Sequence, residues 1–359
     1  VINTNNTIDF AIIDPHIHQW DPYHTPHPAH TLVKIFGDYP GVMDKLLRLV
    51  KPQPLIDTIG STAHILAPYL PQDYAKDLQH YQVDTVVHIE ANWHDHKGTG
   101  VVGETRWINT LPFTQYNIQL GAIVAAADPR DKQFKKILDL HQQVSPVFRG
   151  IRKMASYHQD KGIYRWCDQA NLYRDKKFLT GFEELAKRHL SFDAWVYSSQ
   201  LNDVIDLAKQ FPETAIVIDH LATPAGLFGP VGKTTGQTQQ DRLNIFAHWK
   251  EHIARLAEHR NVYAKISGLM MPVLGHDYYR KGQYASADEM IDQLSPLINH
   301  AIQAFGIDRI IFASNYPMDK PNAKLVDIIT AYLEMIRPYG DQALQAIFRQ
   351  NAKSFYQIV

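Results

Sequence analysis

A single cysteine, Cys167, stands in 359 residues. That excludes an internal disulfide and a cysteine-rich zinc site, and it fits a reducing compartment. Neither sign of charge is in excess: 36 Lys and Arg face 37 Asp and Glu, a net charge of -1. With no global basic field and no local basic patch, a nucleic-acid partner is not expected. Long apolar runs are missing too. The longest, Thr85–Ile89 and Ala122–Ala127, fall far short of the ~20 residues a membrane helix needs, so no membrane partner is expected. Val1–Asn6 is polar and has no charged region ahead of an apolar run. No secretory signal is read there, and a cytoplasmic location is expected. The chain begins at Val rather than Met, which leaves an upstream segment open. There is no internal repeat and no domain linker, and Gly232–Gln240 is only a short polar loop. Residues 1–359 therefore read as one domain.

What is present is a globular composition, 45% hydrophobic and 20% charged, with ample material for a core. Short β-branched or apolar runs of strand length recur eight times: Phe10–Ile13, Thr85–Ile89, Gln119–Ala125, Val147–Ile151, Leu190–Val196, Ala215–Ile218, Val262–Ile266 and Arg309–Phe312. Amphipathic segments of helical period lie between several of them and at the end: Pro71–Tyr81, Gln133–His141, Leu179–Arg188, Asn202–Gln210, Ile245–Glu258, Pro296–Phe305 and Ala343–Ser354. Strand–helix alternation predicts parallel βαβ units. Eight of them predict an α/β fold, a (β/α)8 TIM barrel. The alternative is a doubly wound open sheet. Against it, the first βα turn reads Asp14-Pro15-His16-Ile17-His18 and carries no Gly-rich phosphate fingerprint. The length in excess of a minimal barrel follows strands 1, 4, 6 and 7, so the long loops gather at the C-terminal face, where barrel active sites lie.

Polar residues at the strand ends are expected to share that mouth. They are Asp14, His16 and His18, then His88, Glu90 and Asn92, Asp128, Arg152, Asp193 and Tyr197, Asp219 and His220, Lys265 and Ser267, and finally Ser314, Asn315 and Asp319. His16 and His18 are two residues apart on an extended segment, so both imidazoles point to one side. Such a pair binds a metal or a carbonyl oxygen; the plain alternative is two polar loop residues. Among 19 histidines, His24, His27 and His30 read as loop residues. Val217-Ile218-Asp219-His220 ends an apolar strand with an acid and a base. Arg152 could fork onto a substrate carboxylate or pair with a neighbouring acid. Glu90 is a base or a structural partner of the histidines. Asp14 and Lys265 read as structural supports, and Trp20, Trp93 and Tyr316 as candidates to line the mouth.

Taken together, Asp14-Pro15-His16-Ile17-His18-Gln19-Trp20, Val217-Ile218-Asp219-His220-Leu221, Lys265-Ile266-Ser267-Gly268-Leu269 and Arg309-Ile310-Ile311-Phe312-Ala313-Ser314-Asn315-Tyr316-Pro317 resemble the amidohydrolase-related proteins. The resemblance spans about residues 10 to 355. It points to the TIM-barrel hydrolase branch that includes 2-pyrone-4,6-dicarboxylate lactonase and sugar-lactone hydrolases. It implies a TIM barrel that hydrolyses a small lactone or related ester, with roles for His16, His18, His220 and Asn315. Arg152 matches only the looser Gly-Ile-Arg at strand 4. Two departures matter. The superfamily usually has Asp where Asn315 stands, and a carboxamide takes no proton at neutral pH. Strand 5 carries Asp193 and Tyr197 in place of the histidine of metal-binding members, so a full zinc site is hard to assemble.

The expectation is a metal-independent hydrolase of a small carboxylated lactone, with no cofactor. His16, His18 and His220 would polarise the carbonyl or hold the oxyanion. Asn315 would stand beside them. Arg152 would anchor a carboxylate, with Glu90, Tyr197 and Trp20 as further substrate contacts. Asp319, His220 and Glu90 are the candidates to activate water. The enzyme alternative is a zinc-dependent hydrolase or non-oxidative decarboxylase, with the ion on His16, His18 and a third ligand such as Glu90. The non-enzyme alternative is a degenerate barrel that binds a small acid.

Overall fold

A computed structural model describes residues 8–28, 30–36, 39–60 and 62–359; the expectation for Val1–Asn6 lies outside them. All eight expected strands form. They are β1 Ile12–Ile17, β2 Val83–Ile89, β3 Gln119–Ala126, β4 Phe148–Met154, β5 Ser191–Trp195, β6 Ile216–Ile218, β7 Val262–Ile266 and β8 Ile310–Phe312. They make one parallel sheet in sequential order. A parallel bridge between Ile17 and Tyr316, with His18 N donating to Tyr316 O at 2.9 Å, brings β8 back to β1. The result is a (β/α)8 barrel with long loops at its C-terminal face, and the open-sheet alternative falls.

Strand alternation decides which residues enter the lumen. Ile13, Val87, Ile89, Val124, Val217 and Ile311 form one apolar cluster with Phe355, Tyr356 and Ile358 of the C-terminal segment, which plugs the bottom of the barrel. In β1 the pairing shifts between Asp14 and Ile17. Pro15, which cannot donate to the ladder, sits in this irregularity. Asp14 consequently faces outward, where Tyr74 OH donates to its Oδ2 at 2.7 Å and Ser314 N to its Oδ1 at 2.9 Å. His16 then turns inward.

Helices fill the connections. α1 His30–Phe36, α2 Pro40–Val50, α3 Gln53–Ile59 and α4 Ala63–Leu66 occupy the segment after β1, and α5 Pro71–Leu78 leads into β2. Of the histidines read as loop residues, His30 opens α1. Val33, Met43, Leu47 and Leu66 form a small apolar cluster of their own under these helices. α6 Val102–Ile108, α7 Phe134–Val144, α8 Lys176–Lys187, α9 Leu201–Gln210, α10 Gln239–Ala257, α11 Ala287–Phe305 and α12 Leu325–Ile336 follow in order, and α13 Asp341–Gln345 and α14 Asn351–Phe355 close the chain.

Most boundaries shift by a few residues, and the starts of two helices differ most from the sequence reading. Pro296 does not open its helix; it lies inside α11, which starts at a capping box in which Ser286 and Glu289 satisfy each other's backbone N–H groups. α10 starts early for the same reason, with Thr238 and Asp241. Among the described residues no helix is long and apolar enough to cross a membrane.

Candidate active site

A column of charged and polar side chains rises through the barrel from the C-terminal plug. At its base Tyr356 OH donates to Asp193 Oδ2 at 2.7 Å. Lys265, wholly buried, donates to the same oxygen at 2.5 Å and lies 3.2 Å from Asp219 Oδ1. Burial pushes the Asp193 carboxyl up to about 6, and the lysine partly offsets it. One layer higher is His16. Its Nδ1 lies 3.3 Å from Asp219 Oδ1 and 3.1 Å from Lys265 Nζ, and its Nε2 lies 3.4 Å from Arg152 Nη1. Both cations only donate, so the neutral ring accepts either from Lys265 at Nδ1 or from Arg152 at Nε2, and not from both at once. Burial, then the charge of Lys265, holds its pKa well below the ordinary value.

Above this layer lies a cavity of about 230 Å³ at the C-terminal mouth. His18, His220, Asn315, Glu90 and Arg152 form its polar floor, and Trp20 stands in its wall. His18 Nδ1 donates to Ile89 O at 2.9 Å, so its Nε2 presents a lone pair, 3.4 Å from Asn315 Oδ1. Burial and the Arg152 charge lower its pKa to about 3. The centroids of His18 and His220 lie 5.0 and 4.7 Å from that of His16. His220 Nδ1 is 2.9 Å from Ser267 Oγ. Burial, then the neighbouring His16, holds its pKa well below the usual range.

His220 reaches the cavity through unusual backbone. His220, Leu221, Ala222 and Thr223 have φ of 57, 47, 59 and 36°, a left-handed stretch that costs about 1–2 kcal/mol per residue. Gly268, also left-handed at φ +63°, packs against the ring: a Cβ there would lie 2.4 Å from His220 Nδ1.

The structure brings His16, His18, His220, Asn315, Glu90 and Arg152 together, sets Trp20 and Asn92 in the cavity lining and leaves Asp319 and Tyr197 out of it. His16 shares a side with His18, as the spacing predicts, with ring centroids 5.0 Å apart, but it lies one layer deeper and does not line the cavity. The Arg152 fork expected on a substrate carboxylate is closed instead on Glu90, Nε to Oε1 at 2.8 Å and Nη2 to the main-chain O at 2.8 Å. Asp319 sits behind Asn315, whose Nδ2 is 3.5 Å from its Oδ1, and does not line the cavity; burial raises its pKa well above the usual carboxylate value. Tyr197 is buried behind the cavity-lining Tyr164, to whose main-chain O its hydroxyl donates at 2.8 Å, and does not itself line the cavity. Trp20 Nε1 donates to Ala67 O at 2.9 Å and so ties the post-β1 segment down. His88 leaves on the outer face of β2 and meets Glu104 of α6 at 3.2 Å, because it alternates with the inward Val87 and Ile89. The apolar cavity wall from α2 to α4 was not legible in the sequence: lining and burial show the same periodicity.

Three potential ligands, His16, Asp219 and His220, each offer an atom within 4.8 Å of the others. The number suffices for a catalytic zinc site, but the charges do not fit. An ion shared by His16 Nδ1 and Asp219 Oδ1 would displace the Lys265 ammonium, and one on His16 Nε2 would abut the Arg152 guanidinium. The third residue named for the alternative site, Glu90, is bound to Arg152. With both cations in place, these residues do not fit a divalent metal.

Several known proteins resemble this chain. Uncharacterized protein y4mH of Sinorhizobium fredii is 31% identical over 350 residues, covering 98% of this chain and 99% of that protein. An L-fucono-1,5-lactonase of Burkholderia ambifaria is 28% identical over 218 residues, 59% of this chain and 62% of that one. The crystal structure of an amidohydrolase from Burkholderia multivorans with bound zinc superposes with a TM-score of 0.70 at 19% identity, over 98% of this chain and 100% of that one; at that identity the likeness is one of fold. The amidohydrolase family model matches residues 13–358, and this protein therefore belongs to the amidohydrolase family.

Proposed function

We propose that this chain is a lactone hydrolase that works without a metal, acting as one barrel domain on a small molecule. One observation carries the reading: the Lys265 ammonium and the Arg152 guanidinium lie 3.1 and 3.4 Å from the two nitrogens of His16, where a cation would have to sit, while His18 and His220 stand on the cavity floor. The partial likeness to an L-fucono-1,5-lactonase supports the choice of a cyclic ester. Water donates one hydrogen to His18 Nε2 and the other to Asn315 Oδ1, which turns an oxygen lone pair toward the lactone carbonyl. As its oxygen bonds to the carbonyl carbon, His18 takes the proton. His220, made the Nε2–H tautomer by a hydrogen bond from Ser267, donates to the carbonyl oxygen as charge develops there. The ring C–O bond then breaks, and the alkoxide takes the proton from His18 to give the hydroxy acid. A carboxylate on the substrate would find no open fork at Arg152; a charged substituent would meet Lys51, the other cation of the lining.

The test combines metal content with turnover. Protein purified without added metal is expected to hold well under one zinc per chain and to hydrolyse δ-lactones in a pH-stat, equally with or without EDTA. His18→Asn is expected to lower kcat by about 10²–10⁴-fold, the usual contribution of a positioned base. One equivalent of tightly held zinc, with activity lost on its removal, would overturn the metal-free mechanism. No turnover of any δ-lactone would overturn the lactonase reading.

A further inference from the structure

The cavity wall is chemically unlike its floor. Leu55, Ile56 and Ile65, from the segment after β1, stand with Trp166, Trp195 and Met271 around the space above His18 and His220. The polar groups of the floor are largely committed: Arg152 to Glu90, His18 Nδ1 to a main-chain carbonyl and His220 Nδ1 to Ser267. Among the described residues, Lys51 is the only other Lys, Arg, Asp or Glu in the lining. A polyhydroxylated sugar lactone would bring several hydroxyls into this space, and each buried without a partner loses about 1–3 kcal/mol. An alkyl or aryl group there gains from leaving water. The volume, about 230 Å³, lies below the range typical of drug-sized ligands.

From this we infer that the substrate class is a small lactone bearing an apolar substituent, one ring with a short alkyl chain or an aryl group, whose ester faces the His18–His220 floor and whose substituent fills the apolar wall. The ester bond rests on the lactonase reading above; the apolar preference rests on the wall alone.

Two homologous series separate the two. δ-Valerolactam and its alkyl derivatives, which resist hydrolysis, report binding through the fluorescence of Trp20, Trp166 and Trp195, all in the lining. The matching δ-lactones report turnover. Lactam affinity is expected to rise about fourfold per added methylene until the cavity is full. Lactone kcat/KM is expected to rise in parallel and to exceed that for D-glucono-1,5-lactone. Leu55→Gln and Ile65→Gln, both at half-buried positions, are expected to flatten the dependence on chain length. Lactam affinity that is flat or falls with chain length, or a preference for gluconolactone, overturns the proposal. Rising lactam affinity without hydrolysis of any lactone supports the apolar site and refutes the lactonase reading instead.

Discussion

Replacing Gly268 with alanine probes the placement of His220 without touching either imidazole. The residue sits at φ +63°, and an added Cβ would come within 2.4 Å of His220 Nδ1 and 2.5 Å of its Cγ. Two costs follow. The left-handed backbone costs an alanine about 1–2 kcal/mol. The contact is about 1 Å too close, so the ring must move by that order. Moving it gives up the bond to Ser267, about 1 kcal/mol, and misplaces a catalytic group by a distance that costs about 10²-fold in rate. Gly282 supplies the control: it is also left-handed, at φ +64°, and nothing lies within 4 Å of its built Cβ. Urea unfolding should show Gly282→Ala down by about 1–2 kcal/mol and Gly268→Ala by roughly 1 kcal/mol more. Hydrolysis of a δ-lactone should fall about 100-fold in kcat for Gly268→Ala alone. Wild-type kcat in Gly268→Ala, or equal stability losses in the two variants, would refute the role given to His220 and its packing.

Arg152→Met is expected to cost about 3–5 kcal/mol in urea unfolding because it leaves Glu90 buried and unpaired, and Arg152→Met/Glu90→Leu to recover most of that; an effect confined to KM, with the unfolding midpoint unchanged, would return Arg152 to the substrate. Glu104→Gln addresses pH. Burial raises the Glu104 carboxyl from 4.5 to about 7, so the folded state keeps a proton that the unfolded chain loses. Its contribution to stability is full below pH 4.5 and is lost as pH rises through 7. The stability of wild type relative to Glu104→Gln should fall by about 3 kcal/mol between pH 4.5 and 8; a difference constant across that range would show that the carboxyl ionises normally.

The barrel was legible in the sequence because strands are local: each run of β-branched or apolar residues is short and bounded, and eight of them between helical segments admit few topologies. For the same reason the residues at the strand ends, His18, His220 and Asn315 among them, could be named before any coordinates. What local pattern could not supply was partnership and depth. Arg152 and Glu90 are separated by 62 residues, and Lys265 and His16 by 249, so no spacing rule distinguishes a guanidinium waiting for substrate from one already paired. The register shift beside Pro15 turns Asp14 out and His16 in, a choice made by pairing with β2. Asp319 follows Asn315 by one helical turn in sequence, yet the fold buries it behind the amide, out of the cavity lining, and burial raises its pKa. The apolar cavity wall needs α2, α3 and α4 folded over the mouth. The sequence thus determined the architecture and the chemical inventory of the mouth. Tertiary structure alone decided which charges cancel, which imidazoles stay open and what body of substrate the cavity accepts, because Coulombic partners and apolar walls are set by proximity in space rather than order along the chain.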